Sequence, residues 1–133
     1  MIRRPSVRHL CLLAGLFALP LLTAARPSAF FHLHLKRAEP GINDTIAVAP
    51  KAIRLWFTET PEAAVAGIAL IGPGGAKISL GKPALESGQS PALTAPVQGP
   101  MAPGAYRVQW RAMAGDGHPM RGSFGFILRA PSR

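Results

Sequence analysis

Asp116 and His118, separated by one glycine and followed by Pro119, are the residues of this chain best equipped for chemistry. They offer one hard carboxylate oxygen and one imidazole. At positions i and i+2 of an extended loop both side chains project from the same side, as two ligands of one metal ion would. Pro119 adds to this by biasing His118 toward extended backbone. Two donors do not complete a site, and an Asp-x-His pair in a loop is more often incidental than ligating. Further donors must come from elsewhere, and the other histidines are His9, His32 and His34. His32 and His34 repeat the i, i+2 spacing near the start of the chain.

What precedes His32 reads as a leader. Arg3, Arg4 and Arg8 form a basic region, Leu10 to Leu22 is an apolar run broken by Gly15 and Pro20, and Thr23, Ala24 and Ala25 are small. This is the pattern of a secretory signal peptide, residues 1–31, with the cut falling between residues 25 and 31. The run is shorter than the ~20 residues of a membrane-spanning helix. His9 and Cys11 leave with the leader. Cys11 is the only cysteine, so the exported domain, 32–133, has no disulfide, zinc-thiolate site, blue-copper site or thiol nucleophile. Loss of Arg3, Arg4, Arg8 and Arg26 takes the formal charge from +9 to +5. The remaining basic residues are scattered without aromatic interleaving, which argues against a nucleic-acid surface.

The domain that must position these donors is all-β. Ile53, Leu55 and Phe57 alternate with Arg54, Trp56 and Thr58, and Tyr106, Val108 and Trp110 alternate with Arg107, Gln109 and Arg111. Each series has one buried face. Phe124, Phe126 and Leu128 repeat the period. Gly67 to Ile71 and Ala76 to Leu80 flank Gly72-Pro73-Gly74-Gly75 as a hairpin. The stretch from Pro83 to Pro103 is loop-rich with one strand, Leu93 to Val97. About seven short strands at this spacing predict one small antiparallel immunoglobulin-like β-sandwich with Greek-key connections, its edges guarded by proline.

The ordered set His32-Leu33-His34-Leu35, Ala49-Pro50-Lys51-x-Ile53-x-Leu55-x-Phe57-Thr58-Glu59, Pro103-Gly104-x-Tyr106-x-Val108-x-Trp110-Arg111, Asp116-Gly117-His118-Pro119 and Gly122-x-Phe124-x-Phe126 resembles the CopC family of copper-resistance proteins. The resemblance spans nearly all of the exported domain. It implies a periplasmic β-sandwich that binds one Cu(II) ion between an N-terminal histidine and the later Asp-x-His loop. On that likeness His32 supplies amine and imidazole, His118 a second imidazole and Asp116 a weaker axial oxygen. Amine and imidazole nitrogens suit Cu(II), the divalent ion highest in the affinity order. Glu59 matches an acidic residue near the copper, where it would orient the amine or a bound water, or else is simply solvated. The methionine-rich stretch that gives some family members a Cu(I) site is missing between Leu80 and Ala95; Met101, Met113 and Met120 read as filler, with Met120 left open as a neighbour of the loop.

The amine ligand exists only if the cut falls between Phe31 and His32, at a position that usually takes alanine or glycine. If the cut follows Ala25 or Ala29, His32 is internal, and His32, His34 and His118 with Asp116 form the alternative set. His34 otherwise reads as a surface residue of the first strand. Arg111 is expected either to brace the Asp116 loop or to face solvent. The resulting function is a non-enzymatic copper carrier or reservoir in copper homeostasis, a monomer, delivering to an inner-membrane partner of the CopD type. Two other readings compete. One is a histidine-brace copper enzyme, disfavoured by the small size and the lack of an aromatic platform; the other is a metal-free immunoglobulin-like module.

Overall fold

The structure, a computed structural model, describes residues 33–88 and 92–131. The expected leader and His32 lie outside the described residues. Nine strands follow in chain order: β1 (Leu35–Glu39), β2 (Thr45–Ile46), β3 (Ala52–Phe57), β4 (Gly67–Ile71), β5 (Lys77–Ile78), β6 (Ala84–Leu85), β7 (Leu93–Pro96), β8 (Gly104–Met113) and β9 (Pro119–Leu128). They form a four-stranded sheet, β1-β3-β7-β6, and a five-stranded sheet, β2-β9-β8-β4-β5.

The period-two pattern explains how the sheets face each other. β3 buries Ile53, Leu55 and Phe57 and turns Arg54 and Trp56 outward. β8 and β9 bury Tyr106, Val108, Ala112, Phe124, Phe126 and Leu128. Leu70 and Leu93 complete the contact between sheets from β4 and β7. This removal of apolar surface from water, at about 25 cal/mol per Å², is what holds the two layers together in the absence of a disulfide. The Tyr106 ring stacks on Phe126 with centroids 5.2 Å apart. Its hydroxyl donates to the Ala102 carbonyl at 2.5 Å, the tyrosine-corner arrangement that pins a strand entry in immunoglobulin-like folds. Burial pushes the Tyr106 phenol above its ordinary range.

The expected hairpin forms. Leu70 pairs with Ile78 and Ile71 with Lys77 around the Pro73–Gly75 turn. The chain then leaves the five-stranded sheet at Ser79, whose carbonyl accepts from Gln98, and Leu80 bridges to Val97. Three features depart from the expectation. There are nine strands rather than about seven, because β2 and β6 are two residues long and too short for a period to show, while the expected strand Ala76 to Leu80 shortens to Lys77–Ile78. β2 runs parallel to β9, so the second sheet is mixed. The edges are guarded by brevity and by a bulge in β1 between Leu35 and Arg37, while Pro96 and Pro119 sit at the ends of interior strands.

On the outer face of the four-stranded sheet, Arg54 bonds Glu86 at 2.8 Å and lies 3.7 Å from Glu39. Arg37 pairs with Glu39 and lies over Trp56 at 4.3 Å. These contacts join β1, β3 and the residue after β6. The hydrogen bond from Arg54 holds the Glu86 carboxyl below the usual glutamate range.

Candidate metal centre

The β8–β9 hairpin carries Asp116 and His118 at its tip. The Gly117 N–H donates to the Ala114 carbonyl at 3.0 Å, closing a turn that needs φ of +76° at Gly117. That is the left-handed region, where a Cβ is unfavourable. The His118 N–H then donates to Asp116 Oδ1 at 3.0 Å. Asp116 therefore shapes the loop as well as offering charge, since its carboxylate orders the backbone of His118. Both residues are exposed. The base of the loop is fixed from the side, because the Glu62 N–H donates to the Met113 carbonyl at 2.8 Å. Arg111 does not brace Asp116 through any hydrogen bond or ion pair among the described residues. It crosses β4 instead, its Nε 3.6 Å from the position a Cβ on Gly67 would take.

The start of the described chain is held equally firmly. Leu33 is 1% exposed and belongs to the core. The His34 N–H donates to Thr58 Oγ1 at 2.9 Å, and the Thr58 N–H donates to the His34 carbonyl at 2.8 Å. His34 thus has both backbone groups committed while its side chain is exposed. Leu35 pairs with Phe57, and the Phe57 ring meets Trp110 edge-on at 5.1 Å. Trp110 in turn lies over Gly122, where a Cβ would come within 2.5 Å of the indole. This chain of contacts puts the start of β1, the end of β3 and the β8–β9 loop at one end of the sandwich. Glu59 is half-buried, two residues beyond Phe57.

Among the described residues no three of His, Cys, Asp and Glu are grouped closely enough to hold a metal. The described part of the centre is the Asp116–His118 pair, with His34 and Glu59 at the same end but not joined to it. The donors are oxygen and imidazole nitrogen without thiolate, a set that suits a divalent ion of the Cu(II) type better than Cu(I). Sequence reasoning placed Thr58 in a motif but not its two hydrogen bonds to His34, and missed Glu62, whose contribution is made by a backbone N–H that carries no motif.

An immunoglobulin-like sandwich with oxygen and nitrogen donors on one terminal hairpin defines a class of small β-domain with a candidate metal-binding end. The model of the CopC domain matches residues 35–129, and the chain belongs to the CopC family. Protein YobA of Escherichia coli K12 is 30% identical over 115 residues, spanning 85% of this chain and 93% of that protein. Copper resistance protein C of Xanthomonas campestris pv. juglandis is 31% identical over 110 residues, spanning 79% of this chain and 86% of its own. The crystal structure of CopC from Methylosinus trichosporium OB3b superposes with a TM-score of 0.64 at 27% identity, covering 74% of this chain and 94% of that one. The matched segment contains Glu59, Asp116 and His118; it begins after His32 and His34.

Proposed function

We propose that this chain is an exported, non-enzymatic protein that binds one Cu(II) ion and serves as its carrier or reservoir in the periplasm. The observation that carries the reading is that Leu33, His34 and the Asp-Gly-His loop lie at one end of a family sandwich. His118 supplies an imidazole, Asp116 a weaker axial oxygen, and His32 the amine and imidazole chelate. Burial of Leu33 and the two hydrogen bonds between Thr58 and His34 hold the two residues that follow His32 in sequence. Ligands held on two segments far apart in sequence let copper be taken up or released by exchange of the N-terminal donors, while the hairpin loop keeps its shape. A CopD-type inner-membrane protein is the expected recipient.

Two further observations favour Cu(II) carriage over the alternatives. Met101 and Met120 pack against the core, so they are not arranged as an exposed thioether cluster for Cu(I). Trp56 lies under Arg37, and Trp110 and Tyr106 are engaged by Phe57 and Phe126, which leaves these aromatics out of any flat platform for an oxygenase substrate.

The test is the intact mass of protein purified from the periplasm of its own host, with and without one equivalent of Cu(II). The expected result is a chain beginning at His32 with one copper bound. A chain beginning before His32 that keeps one copper would replace the amine by His34, and no retained copper would overturn the proposal.

A further inference from the structure

The two sheets treat their arginines differently. On the four-stranded sheet Arg37 and Arg54 are paired with Glu39 and Glu86. On the five-stranded sheet Arg107, Arg111 and Arg121 all point to solvent, and none makes an ion pair or hydrogen bond among the described residues. β4, β5, β8 and β9 contain no acidic residue at all. Arg111 stands directly opposite Arg121 in the β8–β9 register, and like charges in that position destabilise a sheet. No ion pair among the described residues offsets this repulsion.

Between the arginines the face is low. Ala69 and Gln109 pair across β4 and β8, and Gln109 pairs with Ser123 and Arg107 with Gly125. Arg107, Gln109, Ser123 and Gly125 line a groove of about 830 Å³ that reaches Ile127, which is 49% exposed, and Ala69, Gln109 and Arg111 line a smaller one of about 250 Å³ beside it. We propose that the outer face of the five-stranded sheet is a docking surface for an extended acidic segment of a partner protein, its carboxylates paired with Arg107, Arg111 and Arg121. Arg107 and Arg111 lie four residues apart on one strand, about 13 Å at ~3.3 Å per residue, which matches carboxylates at i and i+4 of an extended chain. Guanidinium groups suit this role because they take carboxylates in a planar, two-bond fork. A membrane-binding face would need apolar side chains long enough to enter the acyl boundary, and Ala69, Ser123 and Gly125 are too short for that.

The probe is a fluorescently labelled deca-glutamate peptide, its binding to the purified protein followed by anisotropy at low and at near-physiological salt. The expected result is saturable binding that weakens with salt. Each single change, Arg107→Gln, Arg111→Gln or Arg121→Gln, weakens it about two- to fivefold, as for exposed ion pairs, and the triple change abolishes it. A control of equal charge loss, Lys36→Gln with Lys51→Gln and Lys82→Gln, keeps most of the binding. Thermal unfolding shows that each variant is folded, and Arg111→Gln is expected to be no less stable than the parent. Equal weakening by the lysine control would reduce the effect to net charge and overturn the proposal. So would absence of peptide binding, whether or not vesicles containing phosphatidylglycerol capture the protein through the same arginines; capture would assign the face to a membrane surface instead.

Discussion

Asp116 orders the backbone of His118 and is a ligand in the proposed site, and a pair of substitutions separates the two. Asn retains an oxygen that can accept from the His118 N–H, so Asp116→Asn keeps the loop and loses only the charge. Asp116→Ala loses both. If the carboxylate is an axial ligand, Asp116→Asn weakens Cu(II) mildly and Asp116→Ala more, as read by competition titration. If His118 is a principal nitrogen donor as proposed, His118→Ala is expected to cost more than the roughly 10- to 100-fold associated with losing a residue that merely supports a ligand. On the proposed donor set protons compete with copper for the amine and imidazoles, so affinity is expected to fall as pH drops; an affinity flat with pH would exclude this donor set. Gly117 is held at φ of +76°, and Gly117→Ala should destabilise the hairpin by about 1–2 kcal/mol in chemical denaturation while weakening copper through His118.

At the scale of strands, two contacts decide how the sheets are held. Gly122 leaves room for the Trp110 indole, with a prospective Cβ within 2.5 Å of it. Gly122→Ala must displace that ring from Phe57 and should cost about 1–3 kcal/mol as overpacking, seen as a lowered urea midpoint. The Arg54–Glu86 bond ties β3 to the residue after β6. Because the Glu86 carboxyl is held below its ordinary value, its contribution is present above the usual glutamate range and is lost as pH falls through the lowered value. Glu86→Gln should therefore lower Tm slightly near neutral pH, with the difference from the parent closing in acid and in high salt. A difference independent of both would assign the loss to packing.

For the whole molecule, the exposed edges are three two-residue strands and the bulged β1. Short, irregular edges offer little to a second copy. Sedimentation equilibrium is expected to give a monomer, with or without copper. The segregation of charge matters at the same scale, since the paired arginines of one sheet consolidate it and the bare arginines of the other face outward toward a partner.

The alternation of apolar and polar residues in 53–57, 106–110 and 124–128 was enough to determine a sandwich and its inward faces, because side-chain direction along a strand has a period of two that burial enforces. The Asp-Gly-His-Pro spacing likewise determined a loop with two donors. It did not determine β2 and β6, which exist only because a neighbouring strand offers hydrogen bonds to a pair of residues too short to form alone. Nor could the sequence order the loop through the Asp116 carboxylate, clamp His34 with Thr58, send Arg111 across Gly67 or set Arg111 against Arg121. The first is a bond between residues two apart that depends on the turn geometry; the others arise from pairing between separate strands, and only the register of the folded sheets decides which residues meet.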